Sequence, residues 1–172
     1  MVETPRRASS KLSQDHVPTP SQTVGPFFGY ALPFDADADA ASGAGALRVE
    51  GQLLDGDGKP VPDGIIEVWG GQQFARCSTD VEGAFHFAVT KPGSTRDDEA
   101  PHLEVTVFAR GLLRHLATRL YFPDEEAANA EDRTLNLVDP DRRHTLTAQL
   151  DGAVLHFDIR LQGELETVFF AL

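Results

Sequence analysis

From Leu47 onward the apolar residues recur at every second position, in one short segment after another, with turn signals between them. Successive side chains of a strand point to opposite faces, so this period builds half-buried sheets and excludes a helical bundle. Leu47, Val49, Gly51 and Leu53 line one side of a first strand, and Asp55-Gly56-Asp57-Gly58-Lys59-Pro60 turns the chain. Ile65-Ile66-Glu67-Val68-Trp69 and Phe74–Thr79 follow, and Asp80-Val81-Glu82-Gly83 turns into Ala84–Val89, where Phe85, Phe87 and Val89 alternate. Lys91-Pro92-Gly93 stops that run. Leu103, Val105, Val107 and Ala109 mark the next strand, and Leu112–Phe122 reads as another. Thr145–Leu150 and Ala153–Gln162 flank Asp151-Gly152, a two-residue hairpin signal, with Leu155, Phe157, Ile159 and Leu161 on the buried face. Val168-Phe169-Phe170 closes the chain as a short apolar edge. Pro123–Glu131 is the one helical stretch, with proline near its start and acids in its first turn. About eight strands and one short helix make an all-β sandwich.

The segments ahead of the strands read differently from one another. Residues 1–18 are polar and aperiodic, which predicts a mobile N-terminal arm, and residues 19–172 form the single domain. Thr19–Phe28 combines two prolines and a glycine with a terminal Phe27-Phe28, so it reads as a rigid extended segment that packs on something. Asp35–Ala46 is small and acidic, a surface linker by composition. Phe27, Phe28, Phe169 and Phe170 lie near the chain ends, where a domain of this size has trouble burying all four. At least two of them are expected to meet a partner.

Charge narrows the partners. With 27 acidic and 15 basic residues the chain carries a formal charge of −12. Nucleic-acid affinity rests on cations that neutralise phosphates, and docking on anionic lipid needs them too, so neither partner is expected. Cys77 is the only cysteine, which excludes an intrachain disulfide and a Cys-based zinc site. No apolar run reaches membrane-spanning length, and Met1–His16 lacks the apolar core of a secretory signal, so a cytoplasmic protein is expected.

Candidate chemistry is sparse. His16, His86, His115, His144 and His156 read as solvated or structural. His102 opens a strand two residues before Glu104, and residues two apart share a face, so an imidazole and a carboxylate sit together. A metal needs at least a third ligand, and only Tyr30 and Tyr121 could add phenolates. A structural His–Glu pair is the simpler reading. Arg110, Arg114 and Arg119 form a positive spot that could hold a carboxylate through paired hydrogen bonds. The competing reading is a salt-bridge network with the acidic stretch Asp124–Glu131. There is no nucleophile elbow and no phosphate loop, and Asp55–Gly58 lacks the later Glu of a calcium loop.

Eight short motifs in order carry a resemblance. They are Thr19-Pro20-Ser21-Gln22-Thr23-Val24-Gly25-Pro26-Phe27, Ile66-Glu67-Val68-Trp69, Lys91-Pro92-Gly93, Ala100-Pro101-His102, Phe108-Ala109-Arg110-Gly111, Thr118–Phe122, Arg142–Leu146 and Phe157–Phe170. Together they resemble the intradiol ring-cleaving dioxygenases from Thr19 to Leu172, and among them the alpha chains that pair with an iron-carrying beta subunit. The resemblance implies a prealbumin-like β-sandwich and a non-haem Fe(III) held by two tyrosines and two histidines of the partner. It implies protocatechuate as substrate, opened by dioxygen between its hydroxyl-bearing carbons to 3-carboxy-cis,cis-muconate, in a higher hetero-oligomer. In the iron-binding chains a His-x-His strand supplies two ligands. Here the matching positions are His102 and Glu104, vestigial by this comparison. No tyrosine follows Lys91-Pro92-Gly93 closely, and the loop after Trp69 is short and lacks one. The resemblance therefore implies no metal in this chain. It also implies that Thr23, Gly25, Pro26 and Arg110 border a substrate pocket shared with the beta subunit. The alternative, on the sandwich alone, is a stand-alone binding module without activity.

Overall fold

The computed structural model describes residues 19–34 and 36–171, and the arm assigned to residues 1–18 lies outside them. Among the described residues, nine strands form two sheets. The first sheet has the order β4-β1-β8-β7, built from β1 (Ala46–Leu54), β4 (Ala84–Thr90), β7 (Gln149–Asp151) and β8 (Val154–His156), with β9 (Ile159–Arg160) continuing along β1. The second has the order β3-β2-β5-β6, built from β2 (Ile65–Gly70), β3 (Gln73–Ser78), β5 (His102–Phe108) and β6 (Leu116–Tyr121). Their inner faces meet in one core that includes Val49, Phe87, Val89, Ile66, Leu103, Val107 and Leu120, and these are the alternating positions of each strand. That arrangement is the all-β sandwich the sequence predicts.

A smaller cluster lies beyond β6. Leu135, Leu146, Tyr121 and Ala100 pack there under α2 (Glu126–Glu131), α3 (Arg133–Asn136) and a 3₁₀ segment, Pro140–Leu146. Asp132 is fully buried at its centre and caps α3. Its carboxylate accepts from the Ala100 amide (2.8 Å), the Leu135 amide (2.6 Å) and the Tyr121 hydroxyl (3.0 Å).

Several expectations need correction. The strand expected over Leu112–Phe122 begins only at Leu116, because Gly111 takes φ +91° inside an Ala109–Leu112 turn and the chain stays irregular through His115. Thr145–Leu150 is mostly not strand: Asp139 and Pro140 start the 3₁₀ segment, with the Asp139 carboxylate accepting from the Asp141 amide at 3.1 Å. The strand expected over Ala153–Gln162 is broken at Phe157-Asp158. There the Asp158 carboxylate takes the Gln52 amide at 3.0 Å, and the Phe157 carbonyl crosses so close to Gly51 that an added Cβ would lie 1.9 Å from it. The hairpin pairs Asp151 with Val154, so its two-residue loop is Gly152-Ala153, a glycine-first loop one residue later than expected.

The Asp35–Ala46 stretch is more than a linker. The Arg76 amide donates to Asp37, the Ala88 amide to Ala38 and the Ala41 amide to Ala88, each at 2.9 Å. These bonds cover the adjoining edges of β3 and β4, and an uncovered edge is a liability. Phe169 and Phe170 find places against the two cores of this same chain, whereas Phe27 is 78% exposed.

Candidate functional site

β2 and β5 pair antiparallel, with Trp69 opposite Glu104 at one end and Ile65 opposite Phe108 at the other. The residues picked out from the sequence divide between these two ends. Glu104 lies within β5 and Arg110 in the turn beyond its end, so six residues, at most about 20 Å of chain, separate them.

At the first end, Trp69-Gly70-Gly71, Pro92-Gly93, His102 and Glu104 converge on one cleft of about 390 Å³, with Thr95, Arg96, Glu99 and Arg119 completing its walls. The positions singled out in three separate motifs thus do meet. Glu104 faces Arg119 across the β5–β6 register. Its Oε1 accepts from Arg119 Nη2 at 2.9 Å and lies 3.1 Å from His102 Nε2. The Glu99 carboxylate stands 3.7 Å from the same guanidinium nitrogen. Burial pushes the Glu104 carboxyl up, but the His102 hydrogen bond and the Arg119 charge outweigh it and hold it below the usual carboxylate range. His102 Nδ1 donates to the Ala100 carbonyl at 2.8 Å. The expected His–Glu pair is therefore present. Arg119 does not reach the acidic helix as expected. Lys91 instead pairs with Asp124 and Glu125, just ahead of that helix. Arg119 and Glu99 were missed as neighbours of His102, although the Glu104–Arg119 pairing was readable once β5 and β6 were aligned as a hairpin.

At the second end, the extended segment Thr19–Pro26 lies beside the turn that follows β5. The Gly111 amide donates to Thr23 Oγ1 at 2.7 Å. Arg110 is exposed, and its Nε pairs with the Asp63 carboxylate in the loop before β2. A shallow groove of about 220 Å³ runs between Gln22, Val24 and the stretch Phe108–His115. Gly25 and Pro26 are exposed, and a Cβ added at Gly25 would meet nothing within 4 Å. Further along, α1 (Phe28–Ala31) leads to Leu32, whose carbonyl accepts from Arg76 Nη1 at 3.0 Å. Thr23, Gly25, Pro26 and Arg110 are therefore all surface residues. Arg114 is exposed near them, and His115 stacks on Phe108 with ring centroids 5.6 Å apart.

No family model matches the chain. A protocatechuate 3,4-dioxygenase alpha chain of Burkholderia cepacia is 42% identical over 190 aligned positions, covering 88% of this chain and 96% of that one. This chain belongs to the protocatechuate 3,4-dioxygenase alpha-chain family. The alpha chain of Pseudomonas putida is 37% identical over 88% of this chain and 95% of its own length. A beta chain from Burkholderia cepacia matches less of it, at 28% identity over 46% of this chain and 45% of that one. The dioxygenase domain of a carbohydrate-binding fusion from Streptomyces sp. SirexAA-E superposes with a TM-score of 0.59 at 21% identity, over 84% of this chain and 99% of that chain, which shows the shared fold. The 190 aligned positions exceed the 172 residues present, so the Burkholderia alpha chain carries segments this member of the alpha-chain family lacks.

Intradiol dioxygenases use non-haem iron, and the cleft of this alpha-family chain does not fit it. His102 donates from Nδ1 to the Ala100 carbonyl, and its Nε2 is turned onto the Glu104 carboxylate. The carboxylate beside it is shared with a guanidinium, which places a fixed positive charge where a cation would have to enter. Neither tyrosine reaches the cleft: Tyr30 is 86% exposed in α1, and the Tyr121 hydroxyl is buried against Asp132. Among the described residues no group of three or more His, Cys, Asp or Glu side chains is placed to hold a metal ion.

Proposed function

We propose that this chain is the iron-free alpha subunit of a protocatechuate 3,4-dioxygenase and completes a substrate pocket whose ferric ion is carried by a beta subunit. The observation that carries this reading is the Arg119–Glu104–His102 network, which commits the cleft at the start of β5 to internal ion pairs. With that cleft closed to a metal, the chain's contribution belongs at its other edge. There, Thr23, Gly25, Pro26 and Arg110 stand exposed.

Each rim residue suits a pocket shared across an interface. Nothing inside the chain requires a glycine at position 25, since its Cβ space is open, and an approach from outside would. Pro26 holds the neighbouring backbone stiff. Arg110 offers a guanidinium to the ring carboxylate of protocatechuate, offsetting the −12 charge that repels an anion. The ring opening with dioxygen to 3-carboxy-cis,cis-muconate is the task of the beta subunit's iron, and this chain orients the substrate. The assembly is a cytoplasmic hetero-oligomer, and the domain assigned to residues 19–172 does this work. The test is co-expression with a beta chain, followed by oxygen uptake on protocatechuate. Uptake by the pair and by neither chain alone is expected. Full activity of the beta chain by itself would refute the role.

A further inference from the structure

The Gly111 amide is the central N–H of the Ala109–Leu112 turn, which is closed by the Leu112 amide donating to the Ala109 carbonyl at 3.3 Å. Glycine at φ +91° in the third position is what a type II turn demands, and the turn's own bond leaves that central amide unused. Thr23 Oγ1 takes it at 2.7 Å, across 88 residues of sequence. The peptide fixed in this way is the one that follows Arg110, and the residue that fixes it sits two positions before Gly25. A single hydrogen bond thus ties the Thr19–Pro26 segment to the turn that carries the guanidinium. We infer that Thr23 is a positioning residue: its hydroxyl holds the Thr19–Pro26 segment and the Arg110 turn together as one rigid rim. This rests on the reading of Arg110 as the carboxylate partner.

A methyl group in place of the hydroxyl keeps the shape of Thr23 but cannot accept, so Thr23→Val isolates the bond and Thr23→Ser restores it. In the assembled enzyme, Thr23→Val raises the Michaelis constant for protocatechuate about three- to ten-fold and leaves that for catechol nearly unchanged, the loss of one ordinary hydrogen bond. Thr23→Ser stays close to wild type. Amide exchange over Arg110–Leu112, read in the same complexes, speeds up in the valine variant only. Arg110→Ala, measured alongside, separates the two ideas. If Arg110→Ala is selective for protocatechuate while Thr23→Val changes neither exchange nor the Michaelis constant, the positioning role is wrong. If Arg110→Ala shows no selectivity, the carboxylate reading has failed and takes the positioning role with it. Equal losses for valine and serine would also overturn it, because bulk rather than the hydrogen bond would then matter.

Discussion

At the scale of single residues, two charged side chains do different work at the two ends of β5. Arg110 forms a surface pair with Asp63, and its own side chain is 59% exposed, so the pair adds little to stability. Its proposed role is to bind the substrate carboxylate. Arg110→Ala in the assembled enzyme raises the Michaelis constant for protocatechuate about ten-fold, the loss of one charge-assisted hydrogen bond, and affects catechol much less. Equal losses on both substrates would mean that Arg110 holds the interface instead. Glu104 is a structural anion. Its folded carboxyl lies below the ordinary 4.5, so its ion pairs contribute fully above that value and are lost as pH falls through the depressed one. Melting temperature should therefore drop on acidification below pH 4.5, and Glu104→Gln should flatten the drop. Parallel pH profiles for the two proteins would assign the acid sensitivity to another group.

At the scale of elements, the parts of the fold legible in the sequence are those fixed by one physical cue. Leu47–Leu53, Phe85–Val89 and Leu103–Val107 alternate cleanly because one face of each is core, and all three form strands. The breaks were hidden because they depend on partners distant in sequence. Asp158 replaces a ladder bond to Gln52, and Thr23 completes the Gly111 turn, and neither pairing shows in local pattern. The candidate site divides the same way. His102 with Glu104 was readable from spacing, whereas Arg119 needed the β5–β6 register. α3 was missed although Asp132 is a strong helix-capping type, because its capping role depends on burial against Ala100 and Tyr121. That burial makes Asp132 the keystone of the second cluster. Asp132→Ala leaves two buried amides and a buried hydroxyl without an acceptor, and should cost about 3 kcal/mol or more in chemical denaturation. A loss under 1 kcal/mol would show that water or a shift of α3 replaces the carboxylate.

At the scale of the whole molecule, the two sheets bury their own core, and three exposed aromatic rings lie together on the segment ahead of β1. Phe27, Tyr30 and Phe34 are each more than two thirds exposed within eight residues, on a segment held by the Thr23–Gly111 and Arg76–Leu32 bonds. An exposed aromatic run fixed in place is what an obligate partner covers. The isolated chain should self-associate in light scattering as concentration rises, and the beta chain should suppress it. A monomer at every concentration would remove the Phe27–Phe34 stretch from the interface. The central claim is that this chain gives its beta partner a pocket rim and holds no iron of its own. Metal analysis of the separately purified chain tests that most directly. The account predicts no stoichiometric iron and no visible absorption band, while the co-expressed pair carries iron and colour. About one tightly held iron per isolated chain, with a charge-transfer band, would contradict it.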